Sequence, residues 1–194
     1  LEAFDQAMAV IKTAPAPANP AEQKSRDALN LELLSNAMEA HRLKIMSSID
    51  TTKIGKAAEV VEAYIAAEPD AAKKLAARAT LGDMYRTAGD FDKAVAAYKA
   101  VLEASPDNME VMAKLGLSLV AQGMMVDPPN RDQLQDGLNY MEKYAGTVQI
   151  LPTDSKSDQE FKQSVKETVE YLKTEQKLKA QPAKGGAAPK KKNG

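Results

Sequence analysis

An all-α fold of repeated antiparallel helix pairs is what this sequence predicts, and three observations predict it. The long segments are rich in Ala, Leu, Lys, Glu and Met, which all favour helices. Their apolar residues recur three or four positions apart, as on one face of a helix, and do not alternate as in a strand. A set of leucine, glycine, aromatic and proline positions also returns after about 34 residues, a period typical of stacked helical repeats.

The clearest helix pair spans residues 75–108. Leu81 and Tyr85 lie four residues apart, on one face of a first helix. Gly89 ends that helix and makes the turn, and Pro106 stops the second helix because proline cannot continue the hydrogen-bond ladder. The other marker residues of this pair are Gly82, Asp90, Phe91, Asp92, Ala94, Tyr98, Val101, Leu102 and Asn108.

The next pair restarts at Met109 and places leucine and glycine at the corresponding positions. Those residues are Leu115, Gly116, Leu119 and Gly123. The order L-G-x-x-Y, A-x-x-x-F/Y and Pro over this period resembles the tetratricopeptide-repeat (TPR) family, most strongly over residues 75–123. Arg78 and Val101 depart from the family pattern. The resemblance implies a TPR-type right-handed superhelix of antiparallel helix pairs with a C-terminal capping helix.

Weaker copies of the second helix precede the clear pair. Its core positions define offsets of 0, 4, 7 and 12, which recur twice, at Ala57, Val61, Tyr64 and Pro69, and at Ala3, Ala7, Val10 and Pro15. Residues 1–13 are therefore predicted to be an isolated helix, the second helix of a truncated repeat, and the chain is expected to be a fragment of a longer protein. A short amphipathic N-terminal helix is the alternative. Residues 14–20 form a Pro-rich linker.

One TPR domain is predicted for residues 21–180. Its units are 21–70, 75–108 and 109–149, with an insertion at 124–133 in the last of them. A capping helix is predicted for residues 157–180, opened by a capping box at Ser157 and Glu160. Residues 181–194 are rich in Ala, Gly, Pro and Lys and are expected to be a disordered basic tail.

The residue types that carry catalysis and metal binding are sparse. The chain has no cysteine and one histidine, His41, which has no partner His or Cys for a metal site. No serine lies in a nucleophile context, and no glycine-rich phosphate loop is present. Glu68 and Asp70 are interpreted as a helix end. We expect no enzyme, no catalytic residue, no metal and no cofactor. Met124 and Met125 are candidates for an exposed contact.

A protein or peptide partner is what the resemblance implies. In the TPR family the first helix of each pair lines a concave groove that receives peptides. The corresponding positions here are Ala76, Ala79, Asp83, Arg86, Glu110, Ala113, Leu117 and Val120. Asp83 and the alanines differ from the cationic positions with which some family members grip a C-terminal carboxylate, so such a clamp is not expected.

The function predicted from the sequence is a protein-interaction scaffold that binds its partner in the groove. The alternatives are a self-assembly module, giving a homo-oligomer, and an accessory segment of a larger envelope protein. A net charge of −1 gives no reason to expect nucleic acid. No segment of the sequence is apolar enough to insert into a membrane. The compartment stays open, with a periplasmic or envelope-associated setting favoured over the cytoplasm.

Overall fold

The computed structural model describes residues 2–47 and 51–181, and every regular element in those ranges is helical. The all-α prediction is confirmed. Of the residues expected to form a disordered tail, 181–194, only Gln181 is described, and residues 182–194 lie outside the described part of the chain. The helices are α1 (Glu2–Thr13), α2 (Pro20–Met46), α3 (Ile54–Ala67), α4 (Ala71–Thr87), α5 (Phe91–Ala104), α6 (Met109–Met124), α7 (Arg131–Thr147) and α8 (Lys156–Thr174), with one 3₁₀ turn at Thr51–Lys53 before α3.

The chain divides into two compact units. The N-terminal unit is Leu1–Ala97 and the C-terminal unit is Tyr98–Gly194. The N-terminal unit has its core where the second half of α2 packs against α3, and α3 packs against α4. The buried core residues of that unit are Leu34, Ile45, Ala57, Val61, Tyr64, Ile65, Ala77, Leu81 and Met84.

The N-terminal helix is not isolated, because α1 packs against α2. The prediction that this helix is isolated is therefore wrong, whereas its assignment as the second helix of a truncated repeat stays a prediction. The linker is also one residue shorter than expected. Pro20 is the first residue of α2, and the Asn19 side chain caps the helix by accepting a hydrogen bond from the Glu22 amide at 2.9 Å. The Arg26 guanidinium donates to the Pro15 carbonyl oxygen, which ties the linker to the first turns of α2.

The turn between α3 and α4 contains a buried carboxylate. The Tyr64 hydroxyl donates to Glu68 at 2.7 Å, and the Asp70 amide donates to the other carboxylate oxygen at 3.0 Å. Asp70 in turn caps α4 by accepting from the Lys73 amide. The hydrogen bond with Glu68 raises the pKa of Tyr64 to about 12, and the bonds from Tyr64 and Asp70 lower the pKa of Glu68. These two acids hold a helix junction together, as the sequence indicated.

In the C-terminal unit, α6 and α7 approach until their backbones touch. A β-carbon on Gly116 would lie 2.7 Å from the Gly137 carbonyl oxygen, and one on Gly137 would lie 2.8 Å from the Gly116 carbonyl oxygen. A β-carbon on Gly123 would meet the Asn130 carbonyl oxygen at 3.1 Å. Each distance is shorter than an ordinary contact, so these glycines are required by the helix spacing. The residues of the predicted insertion, 124–133, form the loop between the two helices and their adjoining turns.

The last helix differs from its prediction at both ends. Ser155, and not Ser157, caps α8: its hydroxyl oxygen accepts a hydrogen bond from the Asp158 amide at 3.1 Å. Ser157 and Glu160 have the spacing of a capping box, but the helix begins two residues earlier than that motif indicates. The helix ends at Thr174, and the predicted capping helix to residue 180 is wrong beyond that point. Residues 175–181 continue without helical structure.

Replacing Gly116 by Ala tests the backbone contact between α6 and α7. Although alanine favours a helix by about 1 kcal/mol, the added methyl group would push two backbones apart. We expect a net loss of about 1–3 kcal/mol in the free energy of unfolding. Gly146→Ala is the matched control, because nothing lies within 4 Å of a β-carbon there; it should stabilise α7 by about 0.5–1 kcal/mol. Urea unfolding measures both changes, and equal effects would contradict the contact.

Replacing Tyr64 by Phe tests the buried pair at the α3–α4 turn. The folded protein holds the Tyr64 proton more tightly than the unfolded chain does, because the pKa is raised from 10.0 to about 12. The stability from this group is therefore complete below pH 10 and falls as the pH rises toward 12. Glu68 has a lowered pKa, so its contribution is lost as the pH falls below 4.5.

The urea midpoint of the wild-type chain should exceed that of Tyr64→Phe near neutral pH. The gap between them should narrow at both extremes of pH. A gap that stays constant from pH 7 to pH 12 would show that the hydroxyl does not bond the carboxylate.

Candidate partner-binding surface

One face of α4 remains partly open to solvent in the N-terminal unit. Ala79, Asp83 and Arg86 are spaced by four and three residues, which places them on one side of the helix. All three are partly exposed, and Ala76 on the same side is exposed. The buried residues Ala77, Leu81 and Met84 lie on the other side, toward α3 and α2. The local fold therefore separates a buried core face of α4 from a partly exposed face.

The second half of α2 borders this face of α4. The Arg42 guanidinium donates two hydrogen bonds of 2.7 Å to the Glu39 carboxylate. The bond to Glu39 raises the pKa of Arg42, and the nearby charge of Asp83 raises it further. The same bond lowers the pKa of Glu39. On the adjoining turns, the Thr87 hydroxyl lies 3.4 Å from the Met46 sulfur.

Sequence reasoning missed the contribution of α2 to this surface. The L-G-x-x-Y signature is absent from α2, so its residues could not be placed in the repeat register. The one available signal was the spacing of Glu39 and Arg42, three residues apart on a helix, which permits an ion pair. The surface formed by Glu39, Arg42, Ala79, Asp83 and Arg86 is called the α2–α4 surface below. It has two positive and two negative side chains beside a small apolar one.

The equivalent face of α6 in the C-terminal unit is largely covered. Ala113 is 0% and Val120 is 8% exposed, and both belong to the core that includes Val165 and Val169 of α8. The prediction that Ala113 and Val120 line a groove is therefore wrong. Because α8 packs against α6 and α7, it occupies the side of α6 that the repeat pattern marked as free.

Two predicted residues on α6 stay closer to the surface. Glu110 is exposed and pairs with the Lys114 ammonium at 2.9 Å. Leu117 is only partly buried and packs against the core. The Lys114 ammonium also lies 5.8 Å from the centre of the Phe161 ring, which shows how closely α8 borders this face.

Other residues singled out in the sequence have clear positions. His41 is 3% exposed and lies among the buried residues of α2. Met124 and Met125 are 41% and 70% exposed at the end of α6. Within residues 2–47 and 51–181, no three His, Cys, Asp or Glu side chains are arranged to hold a metal ion. None of the helices described is both long and apolar enough to cross a bilayer.

Comparison with known proteins identifies the repeat. A family model described as TPR repeat matches residues 82–123, which run from the middle of α4 to the end of α6. The search of curated proteins and the search of solved structures each gave no match. A TPR repeat indicates a protein-interaction scaffold, and the members of that family are typically not enzymes.

Proposed function

We propose that this chain, which carries a TPR repeat at residues 82–123, holds a polypeptide partner on its α2–α4 surface. The observation that carries the proposal is the open face of α4. Ala79 and Asp83 are partly exposed, whereas Leu81 and Met84 of the same helix are buried. A small side chain flanked by charges allows a guest backbone to come close to the helix.

The charges of the α2–α4 surface indicate which partner it suits. Arg42 and Arg86 are balanced by Glu39 and Asp83, so the surface has no net charge. A strongly acidic or basic peptide would gain little binding free energy on this surface. Fixed charges of both signs determine which partner binds and in which register, and they contribute less to the affinity. The best guest is a segment with one acidic and one basic side chain, placed to meet the opposite charges, and a small residue over Ala79.

Glu110 and Leu117 of α6 are proposed as further contacts. Substituting Leu117 would be a poor test of binding, because the side chain also packs against the core of the C-terminal unit. Charged residues of the α2–α4 surface can be reversed with much less risk to folding, since each is partly exposed.

Charge reversal at Asp83 tests the proposal. Peptides selected from a random library on the wild-type chain should bind Asp83→Lys and Arg86→Glu at least about tenfold more weakly, because a lost and reversed ion pair at the centre of a contact has that effect. Ala66→Lys is the control, since Ala66 is exposed on α3 outside the surface. Isothermal titration gives the affinities.

Two results would refute the assignment. One is a library that yields no peptide retained by the folded wild-type chain. The other is a set of selected peptides that bind Asp83→Lys as tightly as wild type but lose affinity for Ala66→Lys.

Self-assembly through α1 is the second candidate function, and one observation favours it. Val10 stands at the repeat position that Val101 and Tyr64 hold in their helices. Val10 is 66% exposed, whereas Val101 is 2% and Tyr64 is 6% exposed. This repeat position is in the core elsewhere in the chain but is exposed to solvent in α1. A second copy of the chain could cover it.

Light scattering over a range of concentrations tests this candidate. The wild-type chain should exceed its monomer mass of 20.9 kDa as the concentration rises. Val10→Glu should lower the apparent mass, because a carboxylate would be desolvated in the contact. Ala9→Glu, an exposed neighbour that points to another side of α1, should leave it unchanged. A wild-type chain that stays monomeric throughout would exclude self-assembly.

A further inference from the structure

The segment that follows α8 is bound along α7. Residues 175–181, called the strap below, leave the helix at Thr174 and turn at Lys177, whose φ of 54° is in the left-handed region. Gly89 makes a similar turn after α4 with a φ of 79°. In the C-terminal unit, however, no helix follows the turn within the described residues. The strap runs instead along α7 in the same chain direction.

Three polar side chains of α7 bind the strap through its backbone. Arg131 donates to the Gln176 carbonyl oxygen at 3.1 Å, and Gln135 donates to the Lys179 carbonyl oxygen at 2.9 Å. The Gln181 amide donates to the Asn139 side-chain oxygen at 2.8 Å. The three side chains are four residues apart, so they form one row on the helix. Gln135 also donates to Asn139 at 3.0 Å, which orients that oxygen toward the strap.

One strap side chain enters the core. Leu178 is 9% exposed and belongs to the cluster that contains Leu138 and Leu172, from α7 and α8. Lys177, Lys179 and Ala180 beside it are exposed. The strap is therefore held by backbone hydrogen bonds and a single aliphatic anchor. Proteins bind extended peptides in the same way, since main-chain hydrogen bonds give affinity and a side-chain pocket gives selectivity.

We propose that the surface of α7 and α8 beneath the strap is a peptide-binding site, and that residues 175–181 occupy it as a built-in ligand. The occupant it accepts is an extended segment with an aliphatic residue at the Leu178 position. Carbonyl groups two residues before and one residue after that anchor receive the bonds from Arg131 and Gln135. The residue three positions after the anchor cannot be proline, because its amide binds Asn139.

The site is distinct from the α2–α4 surface in chemistry. It binds a peptide backbone and one aliphatic side chain, whereas the α2–α4 surface presents charged side chains. A segment from another polypeptide could bind here only by displacing the strap. Because the strap is tethered, it competes at an effective concentration in the millimolar range.

The test uses the full chain with Leu178→Asp, which removes the anchor and should release the strap. The probe is a labelled peptide with the strap sequence, Glu-Gln-Lys-Leu-Lys-Ala-Gln. It should bind the variant at least about tenfold more tightly than it binds the wild-type chain, whose site is filled. A peptide with Asp in place of Leu should bind at least about tenfold more weakly, because the anchor is lost.

A second pair of variants locates the site. Adding Gln135→Ala to the Leu178→Asp chain should weaken binding of the probe, whereas adding Gln163→Ala should not. Gln163 is exposed on α8, and its amide nitrogen donates a hydrogen bond to Glu167 at 2.6 Å. Equal binding of the probe to the wild-type chain and to Leu178→Asp would overturn the proposal, and so would equal binding of the two peptides.

Amide hydrogen exchange in the wild-type chain keeps the proposal testable if Leu178→Asp does not fold. Exchange at Gln181 should be slow without peptide and should accelerate as the strap peptide is added, while the Asp-substituted peptide leaves it slow. No acceleration at saturating peptide would overturn the proposal. The proposal would also be overturned if the Gln181 amide were protected from exchange only under conditions in which the protein is a dimer. The strap in the site would then come from a second copy of the chain.

Discussion

The contact between Gly116 and Gly137 is the constraint on which the C-terminal unit depends. A β-carbon on either glycine would meet the carbonyl oxygen of the other, so the two backbones lie next to each other at that point. Large apolar residues near this contact are buried as a consequence. Two of them, Leu134 and Met141, are each 0% exposed. A pair of helices joined by backbone contact has little freedom to slide, because any shift brings a side chain against a backbone. The register of the pair then fixes where α8 can pack.

That packing explains why equivalent repeat positions differ in their exposure to solvent. Ala79 and Ala113 hold the same position in successive pairs, and so do Arg86 and Val120. The members on α4 are partly exposed, whereas those on α6 are buried beside α8. The residue types agree with the burial, because the partly exposed position has Arg86 and the buried position has Val120. A groove position of the repeat pattern is therefore open to solvent only where no further helix of the chain covers it.

Much of the fold could be predicted from periodicity, because stacking imposes its spacing on the sequence. The turn at Gly89 and the close helix approach at Gly116 are both set by residues whose type is dictated by backbone geometry. The α2–α4 surface could be predicted from the sequence only in part. Arg42 could not be assigned, since α2 lacks the repeat signature, and Val120 was assigned to the surface because the position of α8 is a tertiary contact. The true cap of α8, Ser155, was missed because Ser157 and Glu160 match the capping-box pattern and Ser155 with Asp158 does not.

The strap left no signal in the sequence, and the reason is physical. Backbone groups do most of its binding, and every residue type except proline supplies the same amide and carbonyl. On α7, the row of Arg131, Gln135 and Asn139 is indistinguishable from a solvated helix face until the chain that covers it is seen. Its side chain in the core is Leu178, a single aliphatic residue in a lysine-rich segment. Recognition of this kind is transferable for the same reason, since any segment with a free backbone and a suitably placed aliphatic side chain satisfies the same groups.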